Sequence, residues 1–203
     1  MGHDPRICIQ LISMVFVQFF MIYMVKDMSW KEIFVLAYVV GGTINHSLSL
    51  GLHEISHNLA FGSHRPLANR MIGFFANLPL GVPASITFKK YHLDHHKYQG
   101  DEQLDTDLPT KIEAILFSSP IGKFVFVVLQ PLFYCFRPVL VLPKTITPLE
   151  IVNWIIQIAF DFTIFYFFGV KAVAYCCLGT LLGLGKKHKI TTINVLKVII
   201  LIF

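Results

Sequence analysis

Charge is scarce in this chain. Asp, Glu, Lys and Arg make up 14% of its 203 residues, against 55% hydrophobic residues and a mean hydropathy of +0.64. A soluble domain carries about 25% charged residues, so the composition excludes an ordinary soluble protein and reads as an integral membrane protein. Cysteine is also sparse. Cys8, Cys135, Cys176 and Cys177 show neither a CxxC spacing nor an extracellular framework, which excludes a zinc ribbon, a redox dithiol and a disulfide scaffold. All four lie in or beside apolar runs and read as packing residues. There is no basic run of the nucleic-acid type. The +5 formal charge, from 17 basic and 12 acidic residues, suits anionic lipid headgroups instead. Internal repeats and low-complexity linkers are absent, and Arg6 stands where an acylation motif beginning at Gly2 needs Ser or Thr.

Long apolar runs are what the chain does have. Residues 7–25 contain no charge and are bounded by Arg6 and Lys26-Asp27; the run is longer than a signal-peptide core and no small-residue cleavage pattern follows, so it reads as a retained span. A second span covers residues 33–52, and its helical pattern is expected to continue through His57 to Ala60. From Ser63 to Lys111 the chain turns polar and basic, which the positive-inside rule places in the cytosol. Within it, residues 71–82 are short and broken by Pro79 and Pro83, so they lie in the interface or pack on the bundle. Residues 121–142 carry Pro131, Arg137 and Pro138, the mark of a kinked or half-inserted helix. Residues 151–168 and 170–184 form a tight pair through Gly169 and Lys171, crossing and returning. The expected fold is all-α and membrane-integral: about four transmembrane helices plus interfacial helices, with both termini and the histidine-bearing helices on the cytosolic side. Asn45-His46-Ser47 matches a glycosylation sequon but falls inside the second span, beyond a transferase's reach.

Against this apolar background stand two histidine clusters, His53-Glu54-Ile55-Ser56-His57 and His92-Leu93-Asp94-His95-His96. Residues three and four apart share a helix face, so each cluster is a ready set of imidazole donors. Ionisable groups near a membrane are costly and generally functional. A single histidine there reads as a hydrogen-bonded interfacial side chain; five at ligand spacing read as a metal site. His46 falls within about 40° of His53 and His57 at 100° per residue, as a supporting or tunnel-lining group or simply as a capped histidine. The first cluster also satisfies HExxH, where two histidines hold zinc and Glu54 would activate water for peptide hydrolysis. Three further histidines exceed what one tetrahedral zinc needs, and a two-metal, multi-imidazole iron site fits the ligand number better.

Longer strings carry a resemblance. Residues 45–58 (Asn-His-Ser-Leu-Ser-Leu-Gly-Leu-His-Glu-Ile-Ser-His-Asn), Phe75-Ala76-Asn77-Leu78-Pro79, residues 88–96 around the second cluster, Asp105-Thr106-Asp107-Leu108-Pro109-Thr110 and Leu129-Gln130-Pro131-Leu132-Phe133-Tyr134 resemble sphingolipid delta-4 desaturases, the dihydroceramide desaturases. The likeness runs from about Asp4 to Gly185. It implies an endoplasmic reticulum enzyme with a histidine-ligated di-iron centre, receiving electrons from cytochrome b5 and its NADH-dependent reductase. The reaction implied is insertion of a C4–C5 double bond into dihydroceramide with O₂, giving ceramide. His53, His57, His92, His95 and His96 would be iron ligands, with Glu54 and Asp94 either hydrogen-bonding the imidazoles or standing as solvated surface carboxylates.

The resemblance also predicts a third box of HxxHH type after the last span, and here it is missing. The chain instead continues Lys186-Lys187-His188-Lys189 into an apolar tail, and His188, alone, takes no ligand role. Residues 1–185 therefore read as a desaturase-like domain shortened at both ends and 186–203 as a divergent tail. Two irons need on the order of ten ligand positions, so five histidines leave the set incomplete. The expectation is an inactive or weakly iron-binding chain, a site completed by another chain such as a full-length desaturase, or a truncated gene product. A non-catalytic, lipid-binding isoform is the main alternative function and a membrane zinc protease the lesser one.

Overall fold

The computed structural model describes residues 3–184, and within them every regular element is a helix. The chain opens with α1 (Arg6–Val25). Its buried positions Leu11, Val15, Gln18, Ile22 and Val25 recur at three- and four-residue steps, while Ile9, Ile12, Phe16, Phe20 and Tyr23 face outward. A helix apolar on both faces belongs in lipid. Three helices are long and apolar enough to cross a bilayer: Arg6–Val25, Trp30–Ser56 and Pro148–Gly183.

The second of these begins at α2 (Trp30–Leu36), where Ser29 and Glu32 form a reciprocal capping box, and ends as α3 (Gly42–Ser56). Between them a π turn, Ala37–Gly41, brings Gly41 beneath the Tyr175 ring. The helix does not run on to Ala60 as its apolar pattern suggests. Asn58 adopts a left-handed conformation (φ 61°), the Asn58 N–H bonds the Ile55 carbonyl at 2.9 Å, and the Leu59 N–H bonds the Glu54 carbonyl at 3.2 Å. That pair of bonds is a Schellman closure, which Asn tolerates better than a branched residue.

Two short helices follow, α4 (Pro66–Asn77) and α5 (Ser85–Lys97). Asn77 holds the bend between them: its side-chain oxygen accepts from the Ala84 and Ser85 N–H groups, and its amide donates to the Val82 carbonyl at 2.8 Å. With the 3₁₀ turn Leu78–Leu80, the two helices meet at 111°. α6 (Lys111–Leu116) is short; α7 (Pro120–Val141) bends by 85° between Pro120–Gln130 and Leu132–Val141, a break expected where Pro131 offers no N–H.

α8 (Pro148–Leu184) is two limbs, because Gly169 inside it has φ 77° and ψ −178°. Gln157 donates to the Leu78 carbonyl at 3.1 Å and Thr180 to the Leu80 carbonyl at 2.7 Å. A straight helix would hold those two residues about 35 Å apart at a rise of roughly 1.5 Å per residue, so the chain must double back. Lys171 Nζ, just past the turn, reaches the Met28 carbonyl at 2.7 Å in the α1–α2 connection. The bundle therefore has four apolar limbs, with the α1–α2 connection and Gly169 at one end and α5 at the other.

One set of polar groups inside the bundle is satisfied internally, as a lipid environment demands. Gln18 donates to the Gly41 carbonyl and to Asn45 Oδ1; Asn45 donates to Thr180 Oγ1 at 2.9 Å; and Tyr175 O–H donates to Gln18 Oε1 at 2.8 Å. Asn45, the asparagine of the sequon, is thus buried in the core.

Candidate metal centre

Both histidine clusters sit at one end of the bundle, on two helix ends that approach each other. His53 belongs to the last turn of α3, and His57 is its C-cap residue. His92 and His96 lie one turn apart on α5. Lys89 fastens the two helices, donating from α5 to the Ser56 carbonyl at the end of α3; burial, helped by the nearby Arg70 charge, pushes its ammonium down to about 8. On its other side α5 is tied to the α7–α8 connection. Lys90 pairs with Glu150 at 2.9 Å, Tyr91 O–H donates to the Leu142 carbonyl at 3.0 Å, and Lys144 pairs with Asp94.

Ring nitrogens of His53, His57, His92 and His96 converge, one from each lying within 4.8 Å of all the others. His92 Nε2 is 3.0 Å from His57 Nε2 and 3.0 Å from His96 Nε2. One nitrogen carries either a lone pair or a proton, so His92 Nε2 cannot serve two such partners well by hydrogen bonding alone. The spacing suits a metal. Adjacent ligands at right angles, each about 2.1 Å from an ion, stand about 3.0 Å apart, whereas a tetrahedron would put them about 3.4 Å apart. The residues present thus fit an imidazole-ligated metal. Burial and the crowding of His53, His96, His57 and His95 push His92 down to about 4, and burial with His53 and His96 lowers His57. Both are held as neutral lone-pair donors, the form a metal requires. Phe88 stacks on the His92 ring at 4.9 Å.

The fifth histidine stands apart. His95 Nδ1 lies 2.8 Å from Asp105 Oδ1 and 3.5 Å from Asp107 Oδ2, forming a second group able to hold a cation; its ring is 5.6 Å from that of His96. Burial raises Asp105, but hydrogen bonds from the Gly100 N–H, His95 and the Asp107 N–H outweigh it and hold the carboxyl below its usual range. Asp107 is raised by burial.

Among the supporting residues, Glu54 Oε1 lies 3.0 Å from His53 Nδ1. Asp94, expected to support an imidazole, does not: it occupies the opposite side of α5 and takes the Lys144 ammonium because residues one and two positions from His95 and His96 cannot share their face. His46 is half-buried on α3, about 10 Å up the helix from His53. His188 lies outside the described residues. Sequence reasoning passed over Asp105 and Asp107 as site residues; the available signal was an Asp-x-Asp nine residues after His96, close behind the turn residue Gly100. The HExxH reading is not favoured. Four imidazoles converge rather than two, and Glu54 is engaged with His53.

Helical limbs suited to lipid and imidazoles gathered at one end define a membrane protein with a histidine cluster able to hold metal. The chain belongs to the fatty acid desaturase family, whose profile matches residues 29–201. It is 54% identical over 184 residues to the sphingolipid delta(4)-desaturase DES1 of Drosophila melanogaster, covering 91% of this chain and 57% of that one. Identity to the Homo sapiens protein of the same name is 48% over 185 residues, 91% of this chain and 57% of the relative. A Caenorhabditis elegans protein described as a putative sphingolipid delta(4)-desaturase/C4-monooxygenase is 47% identical over 184 residues, 91% and 51% of the two chains. The chain thus spans a little over half the length of these relatives. No solved structure matches it.

Proposed function

We propose that this chain carries the histidine-bearing part of a sphingolipid delta-4 desaturase, an oxidoreductase that converts dihydroceramide to ceramide. The observation that supports this most directly is the convergence of His53, His57, His92 and His96, with one ring nitrogen from each within 4.8 Å of the others, in a chain about half identical to sphingolipid desaturases. These four histidines, with His95 beside them, would supply part of the ligand set of two irons, the remaining positions falling to further donors. Iron with O₂ supplies the oxidising strength to break an unactivated C–H bond, which no side chain can do by acid–base chemistry. The reaction balances as removal of two hydrogens from adjacent methylenes, with O₂, two electrons and two protons giving two waters.

The chain's own residues position that chemistry. His57 and His92 stay unprotonated through enclosure, Glu54 holds His53 through Nδ1, and Lys89 locks the two ligand-bearing helices together. A centre at the end of the apolar limbs would be within reach of a sphingoid chain lying in lipid. Electrons come in this reading from cytochrome b5 and NADH, with the histidine end facing the cytosol from the endoplasmic reticulum membrane. Residues 1–185 would form the desaturase-like part, and residues 186–203, set apart by sequence as a tail, lie outside the described residues.

The test is microsomes from desaturase-deficient cells expressing this chain, given dihydroceramide, NADH and O₂. Ceramide above the level of a His57→Ala control is expected, together with iron rather than zinc in the purified chain. Equal ceramide in both would overturn the activity, and zinc alone would overturn the metal.

A further inference from the structure

The loop after α5 is built around one buried carboxylate. Asp105 is 5% exposed, and burying a charge is costly unless hydrogen bonds replace its water. Three do. The Gly100 N–H donates to Oδ2 at 2.9 Å, the Asp107 N–H donates to Oδ1 at 3.0 Å, and His95 Nδ1 stands 2.8 Å from Oδ1.

The turn that delivers this carboxylate is itself braced. Gly100 has φ 87°, a conformation that suits glycine, and Asp101 Oδ1 accepts from the Gln103 and Leu104 N–H groups at 2.8 and 3.0 Å. The Asp105 N–H returns to the Asp101 carbonyl at 3.0 Å. From α7, Arg137 pairs with Glu113 at 3.0 Å and donates to the Asp107 carbonyl at 3.3 Å, pinning the far side of the loop.

With backbone donors already filling both of its oxygens, the Asp105 carboxylate accepts the Nδ1 proton of His95, which commits that ring to one tautomer and leaves Nε2 as its only free donor. We propose that Asp105 is a positioning residue: it fixes the tautomer and orientation of His95 so that Nε2 is presented to metal. Asp107, at 3.5 Å from Nδ1, is too distant to share the proton. The assignment rests on reading His95 as a ligand and adds what makes it one.

The test uses the purified full chain in detergent, titrated with Co(II), whose visible ligand-field absorption reports both affinity and coordination. Asp105→Ala and Asp105→Asn should each raise the apparent Kd by about 10- to 100-fold and shift the cobalt spectrum, while the metal-free helix content of Asp105→Asn, read by far-ultraviolet circular dichroism, stays at the wild-type value. Asp107→Asn should leave affinity near wild type. Unchanged Kd and spectrum in both Asp105 variants overturn the proposal. So does an equal loss in Asp107→Asn, which would make the carboxylates direct ligands of a cation. A His95→Ala arm separates the two levels: no loss there removes the ligand reading itself, whereas loss there without loss at Asp105 removes the positioning role alone.

Discussion

His92 illustrates how enclosure tunes a ligand. Its ring packs between Phe88 and three other imidazoles, and this environment pushes it down to about 4. The consequence for stability has a definite sign. In the unfolded chain a histidine titrates near 6.5, so between about pH 6.5 and 4 the unfolded state binds a proton that the folded state refuses. Stability of the metal-free protein should therefore fall as pH is lowered through that window. A His92→Gln variant should lose much of that slope, and melting curves in detergent from pH 7 to 4 would show it; an unchanged slope would mean the ring is protonated in the folded state. That His53 pairs with His57 and His92 with His96 was legible from spacing alone. That His95 leans on an aspartate ten positions later was not, because no helical periodicity links a helix residue to a loop.

At the scale of elements, small residues decide how closely the limbs approach. Gly179 and Gly183 lie one turn apart on α8 and meet Gly41 and Gly42 on the second span; a Cβ on Gly183 would lie 2.5 Å from the Gly42 carbonyl oxygen. Small residues four apart are the usual device for close helix packing in lipid. Gly183→Leu should cost about 3 kcal/mol or more, since the obstacle is backbone and cannot rotate away; thermal unfolding in detergent measures it, and a wild-type melting temperature would place the limbs farther apart. Asn45 works at the same junction through hydrogen bonds. Asn45→Leu should cost about 1–3 kcal/mol by leaving Gln18 and Thr180 short of partners, read in the same assay. The glycine pair is present in the sequence, but which limb it faces is not, since every limb offers an apolar surface.

At the scale of the whole molecule, Lys171 and Met28 share one end of the bundle and His96 lies toward the other. A membrane-impermeant thiol reagent should therefore label a cysteine placed at Asp27 and one placed at His96 from opposite sides of a sealed vesicle. Labelling of both from the same side would overturn the four-limb arrangement. The apolar runs, the breaks at Pro131 and Gly169 and the two ligand clusters were set by composition and local spacing, because helix periodicity, proline's missing N–H and glycine's left-handed freedom are properties of short segments. The sequence by itself therefore determined a helical membrane protein, its breaks at Pro131 and Gly169 and the two histidine clusters. Tertiary structure alone decided that α3 stops at a Schellman turn, that Asp94 turns to Lys144 while Asp105 turns to His95, and that four imidazoles meet at one point. Those outcomes depend on how separate segments approach in space, and a hydrogen bond or a shared ligand position exists only once they do.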